Sequence, residues 1–173
     1  LLYDYLLTRK GWSGPAVRNM STTHLLDRVA AAHGQVCYEV PVGFKWISAK
    51  MAETGAVIGG ESSGGLTVRG HIPGKDGVYA GSLLVEAVAA SGKRLSELYA
   101  DIVARYGELV MVENAYGFTA ERRTELQERI FGAHDLPAFT PDVERVSWED
   151  GCKVYFTCGG WVTIRFSGTE PLL

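Results

Sequence analysis

The sequence predicts an α/β protein in two parts. A three-layer α/β/α domain with a mostly parallel sheet is expected over residues 1–108. A small α+β domain with an antiparallel sheet is expected over residues 109–173. Three observations carry this. Strand-like and helix-like runs alternate up to Gly107, the pattern of βα units on a parallel sheet. After Gly107 one polar helix precedes three short β-like runs joined by tight turns, the pattern of hairpins. The length of 173 residues and an apolar content of 46% suit one generous domain or two small ones.

The elements follow in order. Leu1–Arg9 has apolar positions at helical spacing, and Gly11-Trp12-Ser13-Gly14-Pro15 is a turn. Ala16–Met20 reads as a short strand. Ser21 or Thr22 caps a helix to about His33, with Leu25, Leu26, Val29 and Ala30 as its stripe and Gly34 as its stop. Gln35–Val40 reads as a strand, Phe44–Thr54 as a helix, and Ala56–Gly60 as a buried strand. A long helix starts at Asp76 or Gly77 and runs to about Ala90; Ser91-Gly92 breaks it, and Leu95–Tyr106 is another. Leu109–Asn114 reads as a strand. Thr119 caps a polar helix from Ala120 to about Phe131. Three strands follow, Val143–Trp148, Lys153–Thr157 and Trp161–Phe166, with turns at Glu149-Asp150-Gly151 and Cys158-Gly159-Gly160.

Bulk properties exclude several classes. A net charge of −3 gives no reason to expect nucleic acid or a membrane surface as partner. No run approaches the ~20 apolar residues of a membrane span. Leu1–Lys10 carries Asp4 early and its basic residues last, the reverse of a secretory signal. Cys37, Cys152 and Cys158 form no C-x-x-C pair, so reduced thiols in a cytoplasmic protein are expected. The chain lacks an initiator Met and stops three residues after Glu170, which reads as a fragment of a longer protein.

Two strings carry chemistry. In Arg165-Phe166-Ser167-Gly168-Thr169-Glu170-Pro171 an Arg, a Ser, a Gly and a Thr follow an apolar β-like run. Gly168 permits a bend that turns N–H groups inward; Ser167 and Thr169 add hydroxyls; Arg165 adds a planar fork suited to phosphate. Taken alone, the string also fits an ordinary Ser-Gly-Thr turn. In Ile58-Gly59-Gly60-Glu61-Ser62-Ser63-Gly64-Gly65, Glu61 stands at a strand end, where α/β sheets bind ligands. Its carboxylate suits two sugar hydroxyls and Ser63 a third, while the glycines let backbone approach a ligand. A glycine-rich turn with a solvated Glu is the plain alternative. Lys75, before a helix N-terminus, is disfavoured there by the helix dipole unless an anion lies between them. His71 is a candidate general acid/base or a polar loop residue, and Lys45 faces a cleft or solvent. His24, His33 and His134 read as structural or surface residues. No D-x-D-x-D metal loop is present.

These strings resemble those of the α-D-phosphohexomutases, the phosphoglucomutase/phosphomannomutase family. R-x-S-G-T-E-P is similar to that family's phosphate-binding loop, and Gly60-Glu61-Ser62-Ser63-Gly64 to its sugar-binding loop. His71-Ile72-Pro73-Gly74-Lys75-Asp76-Gly77 is similar to the H-I-x-x-K-D-G segment of glucose-type members, and Val42-Gly43-Phe44-Lys45-Trp46-Ile47 to a segment that opens a helix. The four stand in family order, and the resemblance covers nearly the whole chain. Gly65 stands where several members carry His.

The resemblance implies the family's third domain and most of its fourth. It implies a phosphorylated hexose as partner, contacted by Glu61, Ser63 and Lys75, with Arg165, Ser167, Gly168 and Thr169 on its phosphate. It implies interconversion of hexose 1-phosphate and hexose 6-phosphate, phosphoglucomutase favoured, through an upstream phosphoserine and a hexose 1,6-bisphosphate intermediate. Mg²⁺ and the phosphoserine belong to upstream domains of the same protein, so this chain alone is expected to be inactive. A non-catalytic sugar-phosphate binding or regulatory module is the alternative; an upstream Ser loop and Asp-rich metal loop would discriminate the two.

Overall fold

The computed structural model describes residues 1–167 and divides the chain into two compact units, Leu1–Met111 and Val112–Leu173. In the first unit, strands β1 (Ala16–Asn19), β2 (Cys37–Val40), β3 (Ile58–Gly60) and β4 (Leu66–Val68) form one sheet in the order β2-β1-β3-β4. β1 pairs parallel with both β2 and β3, and β4 returns antiparallel to β3. The helices are α1 (Leu2–Thr8), α2 (Leu25–Ala32), α3 (Phe44–Thr54), α4 (Gly77–Ser91) and α5 (Leu95–Tyr106). The expected mostly parallel α/β/α layering is the observed one.

Strand alternation builds the layers. Ala16 and Ile58 lie in register and enter a core with Tyr3 and Leu6 of α1, Val29 and Ala30 of α2, and Leu83 of α4. Val17, one residue on, joins Val40 beneath Ile47 and Met51 of α3. Gly59 pairs with Val17 and meets the same helix: a Cβ there would lie 2.4 Å from Ile47 Cγ2 and from Met51 Sδ. Its missing side chain thus lets α3 close on the sheet.

Three local departures have physical reasons. α2 begins at Leu25, later than expected, because Ser21 and Thr22 are engaged elsewhere: the Ser21 N–H and the Thr22 hydroxyl both donate to Asn19 Oδ1, at 3.1 and 2.7 Å. β4 is an additional strand of three residues, too short to show periodicity. The strand expected over Leu109–Asn114 does not form. Val110 and Val112 are 80% and 76% exposed, and this stretch has the residue types of a strand but no ladder partner.

The second unit holds α6 (Ala120–Leu126), a π-helical continuation over Gln127–Gly132, and strands β5 (Val143–Ser147), β6 (Cys152–Phe156) and β7 (Trp161–Ile164). The strands form an antiparallel sheet in the order β5-β6-β7, as expected. Aromatic rings dock the helical segment on this sheet: Phe131 lies edge-on to Trp148 at 6.4 Å and 5.4 Å from Phe166, and His134 stacks on Trp148 at 3.9 Å.

Candidate functional site

Glu61 leaves the carboxyl end of β3, beside the end of β1. The Glu61 N–H donates to the Gly65 carbonyl at 2.9 Å and the Gly64 N–H to the Glu61 carbonyl at 3.0 Å, closing a five-residue loop above the Gly60–Leu66 pair. The Glu61 side chain is only 8% exposed. Lys75 Nζ donates to its Oε2 at 3.2 Å, and Asn19 Nδ2 approaches its Oε1 at 3.4 Å. The anion that Lys75 needs near the α4 N-terminus is therefore supplied from within the chain. Ser63 stands exposed at the loop tip.

His71 precedes α4 and packs against its first turn. Its Nε2 is 2.8 Å from Asp76 Oδ2, and its ring stacks on Tyr79 at 4.0 Å. Asp76 caps the helix by accepting the Tyr79 N–H at 2.9 Å. That backbone bond, then the His71 contact, holds the Asp76 carboxyl below the usual carboxylate range. The structure thus places His71 as a support of the cap that follows Lys75. Lys45 is exposed, with Nζ 4.8 Å from the Trp46 ring.

Two residues of this region escaped the sequence reading. Asn19, 3% exposed, organises the turn after β1 through Ser21 and Thr22 and points its amide at Glu61. The signal was available: a short polar side chain at the end of a central parallel strand, followed by hydroxyl residues. Arg18, also 3% exposed, grips Asp27 with Nε and Nη2 at 2.7 and 2.9 Å and reaches Glu39 at 2.5 Å. It ties β1 to α2 and β2 just before Asn19, and its carboxylate partners offset its burial. Burial pushes the thiol of neighbouring Cys37 up to about 12.

In the second unit Arg165 follows β7. Its Nε donates to Asp150 Oδ1 at 3.1 Å, in the turn between β5 and β6. Ser167 is the last described residue; the candidates Gly168 and Thr169 lie outside the described residues. Among the described residues, no group of three or more His, Cys, Asp or Glu could hold a metal ion. No helix among them is long and apolar enough to cross a membrane.

This geometry accompanies clear kinship. Residues 1–106 match a model of the α/β/α domain III of phosphoglucomutase/phosphomannomutase. The whole chain is 31% identical to a phosphoglucomutase/phosphomannomutase of Thermococcus kodakarensis, covering 35% of that protein. It is 34% identical over 147 residues to a phosphoglucosamine mutase of Solibacter usitatus, covering 85% of this chain and 29% of that one. Among solved structures, a Thermus thermophilus protein provisionally described as a phosphomannomutase aligns with a TM-score of 0.71 at 33% identity, over 95% of this chain and 33% of that one. The chain spans about a third of the length of these relatives. It belongs to the phosphoglucomutase/phosphomannomutase family.

Proposed function

We propose that this chain is the sugar-reading and phosphate-holding part of a cytoplasmic mutase that interconverts hexose 1-phosphate and hexose 6-phosphate, glucose phosphates favoured. The observation that carries the reading is Glu61: a nearly buried carboxylate at a parallel-strand end, held by Lys75 in a loop whose tip presents Ser63. A carboxylate so held accepts hydrogen bonds from two adjacent ring hydroxyls, and Ser63 exchanges a third. Arg165, Ser167, Gly168 and Thr169 hold a phosphate that is not transferred, by charge-assisted hydrogen bonds.

Phosphoryl transfer in this reading uses a phosphoserine and Mg²⁺ carried by upstream domains, with hexose 1,6-bisphosphate as intermediate. Among the described residues there is no donor set that fits the metal. What this chain contributes is recognition: a carboxylate reader tolerates a reoriented ring, since it needs paired hydroxyls and no particular leaving group. The named activities of the relatives include glucosamine phosphates, so the sugar preference rests on the His71–Gly77 segment.

A coupled glucose 6-phosphate assay tests the proposal. The full-length protein should turn over glucose 1-phosphate, and this chain alone should not. Turnover by this chain alone would overturn the division of labour. Full activity of a Glu61→Ala, Ser63→Ala double variant would overturn the sugar-reading role.

A further inference from the structure

Gly65 closes the Glu61 loop, and its backbone does not lie in the left-handed region, so other residues can adopt it. What a side chain there would meet is Lys75. A Cβ built on Gly65 would lie 2.2 Å from Lys75 Cδ, 2.9 Å from Cγ and 3.6 Å from Cβ. The Lys75 stem therefore lies along the bare backbone of position 65 on its way to Glu61, where Nζ meets Oε2 at 3.2 Å. We infer that Gly65 is a positioning residue for Lys75: the empty space above its backbone is the channel by which the ammonium reaches Glu61, and any side chain at position 65 displaces Lys75 from that carboxylate.

The displacement is mechanically easy. The Lys75 side chain is 53% exposed, and its four-carbon stem can rotate into water. A residue at 65 would thus move Lys75 before it moved the fold. Glu61, 8% exposed, has no such freedom and would keep its buried charge without the ammonium beside it. The consequence falls on ligand recognition. With Lys75 in place, one Glu61 oxygen faces the ammonium and the other faces the Asn19 amide, so the remaining lone pairs point in fixed directions. The inference rests on the reading of Glu61 and Lys75 as sugar contacts.

The test is a double-mutant cycle in the full-length protein with glucose 1-phosphate, using Gly65→Ala, Lys75→Ala and their combination. Gly65→Ala should raise KM about tenfold, the scale of one lost charge-assisted hydrogen bond, with a smaller change in kcat and a modestly lowered melting temperature, because Glu61 loses its counter-charge. In the Lys75→Ala background the same substitution should change KM by less than about twofold, because the displaced group is already gone. Fully additive effects would overturn the inference. A crystal structure of Gly65→Ala supplies a readout independent of activity: Lys75 Nζ should leave Glu61, and its retention within hydrogen-bond distance would overturn the inference even if kinetics changed. If instead Lys75 leaves Glu61 while Glu61→Ala has normal kinetics, the positioning stands and the sugar-reading function fails.

Discussion

Two glycines make room for the two candidate cations, and they do so differently. Gly65 leaves space for Lys75, and what fills that space is the outer part of a flexible side chain. Gly151 leaves space for the strand end that carries Arg165: a Cβ there would lie 2.6 Å from the Ile164 carbonyl oxygen and 3.3 Å from Arg165 Cβ, and its φ is +86°. The first glycine accommodates a movable group and the second accommodates backbone. In the first unit the glycine bears on where a charge sits. In the second it is a condition of the hairpin itself. The partners differ accordingly: Lys75 pairs with Glu61, itself a candidate ligand contact, whereas Arg165 pairs with Asp150, a turn residue.

The contrast is sharpest in stability. Gly151→Ala should cost about 1–3 kcal/mol for a strained φ and a comparable amount for the contact with Ile164, since neither neighbour can move away without unzipping β6 from β7. Denaturant unfolding followed through amide signals of β5, β6 and β7 should show the loss, while Gly65→Ala should cost the first unit less, no more than the lost Lys75–Glu61 pairing. Equal losses in both units would erase the distinction.

Next in size is Glu61→Ala. Losing hydroxyl contacts from one buried carboxylate should lower kcat/KM of the full-length protein by about 1–3 kcal/mol, with the first unit still folded. Kinetics unchanged from the parent would make the loop an ordinary turn.

Much of the fold was legible because it depends on local pattern. Phe44–Thr54 was readable as a helix, and three strands from the hairpin turns around Gly151 and Gly159. What was not legible depends on partners distant in sequence. Leu109–Asn114 has strand composition, but whether a neighbour exists to pair with it is a tertiary fact. The site divides the same way. Glu61, Ser63 and Arg165 stand in recognisable strings. The pairing of Lys75 with Glu61, the amide of Asn19 behind it and the hold of Asp150 on Arg165 link residues 14, 42 and 15 positions apart. No spacing rule connects such positions; only the sheet does.

The Arg165 pair gives a smaller, opposite-signed prediction. Arg165 and Asp150 side chains are 33% and 23% exposed, so their attraction is partly screened by water. An anion arriving at Arg165 competes with Asp150. Asp150→Asn should therefore tighten inorganic phosphate binding by about 0.5–1 kcal/mol, read from the Arg165 Nε resonance during a phosphate titration. Weaker binding would mean that Asp150 orients the guanidinium for the anion.

The smallest effect separates the helix starts of the two units. α4 starts from a carboxylate, Asp76, and α6 from a neutral hydroxyl, Thr119, which accepts the Arg122 N–H at 3.4 Å. The Asp76 carboxyl is held low first by the Tyr79 N–H and then by His71. A carboxyl whose folded pKa lies below its unfolded value of about 3.9 stabilises the folded state fully above that value. The contribution fades as pH falls from there through the depressed folded value. The Tyr79 amide resonance should accordingly titrate with a midpoint below the ordinary Asp range, while the Arg122 amide keeps its bond to a hydroxyl that does not ionise. Asp76→Asn should abolish the Tyr79 titration and leave α4 in place, because Asn caps helices as well as Asp does. A Tyr79 midpoint at or above the ordinary Asp value would show that the cap does not favour the charged form, and the first turn of α4 would then owe its position to the His71–Tyr79 stack alone.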